Sequence, residues 1–339
     1  MQTLFRRHSI MRRVLTLLMA VILLQSFLFA VFIYMGGTVE KLNQNAMDIL
    51  DAQVLNRKND LENEMVQRWS NLDQSREELS AEIAQFLEEN DLSYQDLTVA
   101  NPLTSQMILK LSDQLIYLLR RNGVTGSFLI LNGDDPLVPE SGASYDLAGV
   151  CFRDTDPISS SPNNSDLFIE RGPTILTRAL GISTDVAWSP RFVLSDASSF
   201  YYAPLQAARA YPDVSAGDLG YWSPAFSLSP NDATIITYSE PLISPEGEVY
   251  GVLGVEVTTD YLRRLLPYAE LNANKNGSYL LASDTDDAPL AFTLSCSTGP
   301  MVKRAFGETH TFCFDQELLY GVARRAQTDP QRLDEAVYG

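Results

Sequence analysis

The sequence predicts an α+β protein carried on one N-terminal membrane helix, and three observations predict it. Val14 to Tyr34 is an uncharged apolar run, long enough to cross a bilayer. Thr38 to Glu89 contains no proline and carries an apolar stripe at helical spacing. After Asn122-Gly123 the pattern changes to short β-like runs separated by turn-rich loops.

The apolar run is too long for a signal-peptide core and no A-x-A pattern follows it, so it reads as a retained anchor over 14–35. Arg6, Arg7, Arg12 and Arg13 precede it, whereas Lys41 is the sole cation in the next fifteen residues. Basic residues stay on the cytoplasmic side. The tail 1–13 is therefore expected in the cytoplasm of a membrane protein, with the main domain extracytoplasmic.

The 339 residues hold 25 Lys+Arg against 43 Asp+Glu, a net charge of −18. No acid precedes Glu40, so the extracytoplasmic part is more acidic still. Such a charge argues against nucleic acid as a partner.

In the stretch 36–100 the stripe runs Leu42, Ala46, Ile49, Val54, Leu61, Met65, Trp69, Leu72, Leu79, Ile83 and Phe86. Its steps of three, four and seven predict one long membrane-proximal helix. That helix can pack on its own domain alone, or also on a second copy, making a homodimer. A second helix is expected over Leu103–Arg121, stopped by Asn122-Gly123.

Strands are expected at Ser127–Leu131, Ala148–Phe152, Ile235–Pro241, Val249–Val257 and Tyr279–Ala282, in an antiparallel sheet. Short helices are expected at Thr174–Leu180, Ala203–Ala210 and Thr259–Leu266. Asp154–Asp166 and Ser183–Ser199 read as irregular loops, of a length that covers binding sites. Glu170-Arg171-Gly172-Pro173 reads as a salt-bridged turn, with Arg171 an internal partner.

Pro245 and Gly247 mark a turn, so the flanking strands form a hairpin. Centred on Glu246, it sets Tyr238 opposite Gly254, with Val252 and Glu256 on the same face; another turn type shifts this register by one. A tyrosine and a carboxylate would then look into a dent at the glycine. Glu256, embedded among Leu253, Val255 and Val257, needs a partner to offset its desolvation. That partner is an arginine, backbone donors or a cationic ligand group.

Trp222, Thr237-Tyr238-Ser239, Glu246-Gly247, Gly251-Val252-Leu253-Gly254-Val255-Glu256 and Tyr261-Leu262 together resemble the double Cache (dCache) extracytoplasmic sensor module of bacterial receptors. The resemblance implies two PAS-like subdomains, a membrane-distal one over 101–267 and a membrane-proximal one from about 272. The second, 272–339, is short for the family, and no second apolar run follows it, so the chain reads as the N-terminal part of a longer receptor.

By the same resemblance, Trp222, Tyr238 and Glu256 fall at ligand-binding positions of amino-acid and amine sensors, with Glu256 in place of an aspartate. Gly220 stands where the family's carboxylate-holding arginine is expected, which favours an amine or another small metabolite over an amino acid. Tyr202 and Tyr221, with Phe200, Tyr201 and Tyr211, add candidate pocket walls, although Trp222 and Phe200 also suit a plain core.

The function expected is ligand sensing by a transmembrane receptor whose output is a histidine kinase, or else a diguanylate cyclase or a chemoreceptor. The alternative is an anchored structural or adhesion ectodomain. Catalysis is not expected of this chain. His310 is the one histidine outside the cytoplasmic tail, and no G-x-S-x-G, H-E-x-x-H, P-loop or G-x-G-x-x-G is present. Asp284-Thr285-Asp286-Asp287 lacks the rest of a calcium loop, so no metal or cofactor is expected. Cys296 and Cys313 can bridge or stay free, with Cys151 unpaired.

Overall fold

The computed structural model describes residues 2–35, 38–159, 161, 164–271, 279–284, 291–298 and 311–313. Gly36-Gly37, Thr285–Asp287, His310 and everything after Cys313 lie outside the described residues. The chain divides into an N-terminal unit reaching Asn56 and a larger unit that begins at Arg57.

The N-terminal unit holds helix α1 (Gln2–Met35) and most of α2 (Thr38–Asn63). Within α1, Met11–Phe32 has a mean hydropathy of 2.6 over 22 residues and is wholly unburied. By length and composition this helix is able to cross a bilayer.

The larger unit begins by breaking the single long helix that the stripe suggests. After α2 the backbone widens into a π-helical segment, Glu64–Trp69, leaves the helix at Ser70–Leu72, and resumes as α3 (Asp73–Asn90). The spacing missed this because Trp69 and Leu72 keep the apolar periodicity while both are fully buried. An extra residue in a turn is how a helix re-aims one side chain without losing its core contacts.

Helix α4 (Pro102–Asn122) starts as its sequence dictates, with Pro102 in the first turn and the Asn101 side chain accepting from Leu103 N at 3.0 Å. It ends at Gly123, whose φ of +61° admits the left-handed cap. Met107, Leu111, Leu115, Leu118 and Leu119 form its buried stripe, packed with Leu79, Ile83 and Phe86 of α3.

The main sheet has eight strands: β1 (Gly126–Leu131), β2 (Ser144–Asp154), β3 (Leu167–Arg171), β4 (Ser183–Ser189), β5 (Phe192–Ser195), β6 (Tyr221–Trp222), β7 (Ile235–Ile243) and β8 (Val249–Thr258). Their order is β4-β3-β2-β1-β8-β7-β6, with β5 on the outer end of β2. All pairs are antiparallel except β3 with β4. The sheet is thus mixed rather than wholly antiparallel, because the chain crosses over through α5 (Ile175–Leu180). Ser183–Ser195, expected to be irregular, forms the strands β4 and β5; the polar residues of β4 hid its pattern, and β5 is only four residues long.

One face of this PAS-like sheet packs on the helices, as when Ser127 Oγ donates to Leu115 O at 2.8 Å. The other is covered by the excursion between β2 and β7, including α6 (Ser199–Ala210), where Ser239 Oγ donates to Phe200 O at 2.6 Å. Phe128, Ile130, Cys151 and Val252 pack there against Phe200, Tyr201, Tyr202 and Leu205.

After α7 (Thr259–Leu265) a second sheet follows, β9 (Tyr279–Asp284), β10 (Ala291–Thr298) and β11 (Thr311–Cys313), in the order β11-β10-β9. Arg57 ties the end of α2 to this region by donating twice to Glu270, at 2.5 and 2.6 Å, while Tyr279 donates to the same carboxylate at 2.8 Å. Cys296 is free and buried, and Cys313 stands opposite Ala291 in the ladder, five residues along β10 from Cys296.

Candidate functional site

The β7–β8 hairpin forms as expected, closed by Ser244 N to Glu248 O at 2.8 Å, with Gly247 at a φ of +86°. Its register differs by one. Ile243 faces Val249 as the turn dictates, but Leu242 faces Gly251, so Tyr250 is an extra residue in β8. Beyond this bulge Tyr238 faces Val255, and Glu256 faces Thr237. One residue of slip moves a side chain to the other face.

The five expected ligand-binding residues are therefore divided by the sheet. Glu256 and Tyr221 lie on the α6 face by register, and Tyr202 is buried in α6 itself. Trp222 and Tyr238 lie on the helix face, with ring centroids 5.2 Å apart and Trp222 6.5 Å from Trp69. The expected dent at Gly254 is filled, since a Cβ there would overlap the Phe128 ring. At Gly220, where the resemblance leads one to expect arginine, any side chain would collide with the Tyr238 ring and hydroxyl.

Glu256 has an internal partner that the sequence reading left open. From β2, Arg153 donates through Nε to Glu256 Oε1 at 2.6 Å and through Nη2 to Oε2 at 3.2 Å. Room for the carboxylate comes from Gly126, where a Cβ would overlap the Glu256 side chain. Gly126 is paired with both residues across neighbouring strands.

Arg153 is the hub of a larger cluster. Its Nη1 donates to Asp232 Oδ1 at 2.6 Å, pairs with Glu170, and lies 3.8 Å from Asp185. Arg171 Nη1 donates to Glu170 Oε1 at 3.2 Å and to Ala187 O at 2.8 Å, and its Nη2 lies 3.8 Å from Asp232. Asp185 is the open rim, with its side chain 31% exposed, whereas those of Glu170 and Asp232 are fully covered. Cys151 completes the group with its Sγ 3.7 Å from Glu256, and burial first, then the Glu256 and Glu170 charges, raise its thiol well above the ordinary value.

Three buried carboxyl groups face two guanidinium groups, so one acid is in excess unless it carries a proton. Burial, the Asp232 contact and the Glu256 charge push Glu170 up to about 10. Burial acts to raise Asp232 too, but the hydrogen bond from Glu170 and the Arg153 charge outweigh it and hold Asp232 below its usual range. A proton on Glu170, shared with Asp232, also gives Asp232 Oδ2 the hydrogen-bond partner it otherwise lacks, while Glu170 Oε2 meets Arg153 Nη1. Glu170, Asp185 and Asp232 place their oxygens within 4.8 Å of one another, as metal ligands would. The Arg153 guanidinium occupies that space already, so the donor set does not fit a cation.

Sequence reasoning found Glu256 and the internal role of Arg171 but missed Arg153, Asp232 and Asp185. Arg153 had one signal. It directly follows the apolar run Ala148 to Phe152 and continues the same strand, and a charge so placed must be paired.

No family model and no curated protein matches the chain. Among solved structures it is similar to the ligand-binding domain of the Campylobacter jejuni chemoreceptor Tlp3 in complex with L-norvaline, at 14% identity and TM-score 0.39 over 84% of this chain and 78% of that one. It is also similar to a methyl-accepting chemotaxis protein, at 15% identity and TM-score 0.34 over 70% of this chain and 72% of that one. The extracellular domain of the putative histidine kinase soHK1S-Z6 matches at 18% identity and TM-score 0.29, over 67% of this chain and 69% of that one.

Proposed function

We propose that the chain is the extracytoplasmic ligand-sensing part of a membrane-anchored signal receptor. The observation that carries this reading is the two-faced sheet. One face holds Tyr202, Tyr221 and the Arg153 cluster beneath the β2–β7 excursion, and the other meets Trp69 in the chain that leads back to the apolar helix. A small molecule captured under the excursion shifts the packing of β6 and β7, and Trp222 and Tyr238 pass that shift to the helix face.

Recognition is assigned to Tyr202 and Tyr221, on the sheet face that also carries the charged cluster. Glu256 is removed from direct contact with an amine, because Arg153 takes both of its oxygens. A ligand can shift the equilibrium only by its differential affinity for the two packings. In a homodimer, altered helix contacts would reach a cytoplasmic histidine kinase, or a diguanylate cyclase or chemoreceptor module.

The test is thermal unfolding of the chain in detergent against panels of amines, amino acids, carboxylates and purines, with Tyr221→Ala and Glu256→Gln alongside. A ligand at about a hundred times its dissociation constant adds about 2.7 kcal/mol. A shift lost in Tyr221→Ala supports the assigned face. A shift that survives there but disappears in Trp222→Ala moves the site to the helix face, and silence across all panels rejects small-molecule sensing.

A further inference from the structure

On the helix face, a second buried ion pair ties the sheet to the start of α3. Glu240 of β7 faces Leu253 of β8 and its side chain is 2% exposed. Arg76 of α3 bonds it through Nη1 and reaches Asp73 Oδ1 with Nη2 at 2.7 Å. Asp73 is a poor alternative anchor, because its side chain is 69% exposed.

The pair sits four residues after the helix break. The carbonyls of that break are held from α4, where Asn122 Nδ2 lies 3.2 Å from both Trp69 O and Asn71 O, and Arg121 Nη2 donates to Asn71 O at 2.8 Å. Trp69 itself packs on Trp222 and on Tyr261 of α7, at 6.5 and 6.4 Å between ring centroids. Of these ties, only the carboxylate of Glu240 changes charge near neutral pH.

We propose that the Arg76–Glu240 pair is a proton-operated latch, which fixes the start of α3 to the sheet when Glu240 is ionised and releases it when Glu240 is protonated. On release, Arg76 falls back on exposed Asp73, and the junction Glu64–Leu72 loosens at the point where α2 joins the sensing domain.

The surroundings of Glu240 set its working range. Burial drives its carboxyl up, Arg76 pulls it down, Asp73 pushes it up again, and the balance lies at about 7. The titratable and charged groups facing it are Arg76 and Asp73 from α3 and Tyr238 from its own strand. Strand β8 presents apolar Leu253 and Val255 on this side, and β6 presents Trp222. Tyr238 is raised by burial and by Glu240, so it stays protonated throughout and remains a donor.

The latch extends the sensor reading but is tested without any ligand, so the two can fail separately. Hydrogen exchange of residues 64–76 would be followed between pH 8 and pH 6 on the detergent-solubilised chain, normalised to intrinsic rates. A group titrating near 7 changes its ionised fraction about tenfold over this interval, and protection of the segment is expected to fall by a similar factor. Glu240→Gln should be flat and low at every pH. Asp73→Asn should keep the transition but move its midpoint to lower pH, since it removes a neighbouring negative charge. A flat profile in the unmodified chain overturns the latch, as does a persisting transition in Glu240→Gln. If Glu240→Gln does not fold, an unmoved midpoint in Asp73→Asn is the overturning result.

Discussion

Replacing Glu170 by glutamine should stabilise the protein at neutral pH, although it removes one half of a buried ion pair. Glu170 is held protonated by burial, with a pKa of about 10, whereas in the unfolded chain it ionises near 4.3. Above about pH 4.3 the unfolded state therefore releases a proton that the folded state keeps. Stability must fall as pH rises from that point to about 10.

Each pH unit costs about 1.4 kcal/mol. The penalty is about 1 kcal/mol at pH 5 and up to about 4 kcal/mol at pH 7, as an upper limit for a single uncoupled group. Glutamine is neutral at every pH and its amide can donate to Asp232 as the protonated acid does. Glu170→Gln should therefore gain little at pH 5 and about 2–3 kcal/mol at pH 7, with a flatter pH profile. Urea titration followed by tryptophan fluorescence at pH 5, 6, 7 and 8 reads this directly. Were Glu170 ionised against Arg153, the same substitution would cost about 3–5 kcal/mol at neutral pH. A loss of that size, or an unchanged slope, refutes the shared proton.

Other substitutions probe the same framework. Arg153→Met should cost about 3–5 kcal/mol in urea titration, because Glu256 and Asp232 are left buried without their main cation, and adding Glu256→Met should recover part of the loss. Trp69→Ala should cost about 3–5 kcal/mol, with little change in unfolding midpoint for Tyr211→Ala, whose ring is 62% exposed. Gly126→Ala should destabilise through overlap with Glu256, whereas Gly247→Ala meets open space and should lose only about 1 kcal/mol to its left-handed φ.

Much of the scaffold was legible because its signals are local. The apolar N-terminal helix, α4 with its Asn101 and Gly123 ends, and four strands of the main sheet, β1, β2, β7 and β8, each announce themselves in a few neighbouring residues. The edge strands did not, since β4 is largely polar and exposed, and its pairing with β3 is set by a distant crossover. The candidate site was legible only in its members. Glu256 was singled out correctly as a carboxylate in need of a partner, but the partner, Arg153, lies 103 residues away and no local pattern connects them. The face assignment failed at one point, the bulge at Tyr250. A bulge spares the turn residues and shifts everything beyond it, so periodicity counted from Glu246 carried Tyr238 to the wrong side.

That single residue changes what the tryptophan and tyrosine are for. With Tyr238 beside Glu256, both would serve a ligand. With Tyr238 beside Glu240 and Trp222, they form the surface on which Trp69 and Arg76 rest. The sheet then separates chemistry from transmission, with charge and tyrosines on the α6 face and aromatic packing on the helix face. Strands β6 and β7 are the elements common to both, since Tyr221 and Trp222 alternate between faces, as do Ser239 and Glu240. They also lie at the edge of the sheet, where β6 is only two residues long, and an edge held by one ladder moves at lower cost than the centre. Pinning this edge to β7 by a disulfide at Ser223→Cys and Thr237→Cys, whose hydroxyls lie 2.9 Å apart and which are not assigned to recognition, should leave ligand binding measurable while abolishing its effect on exchange of residues 64–76. Persisting ligand-dependent exchange in the oxidised form would show that the signal leaves the domain by another route.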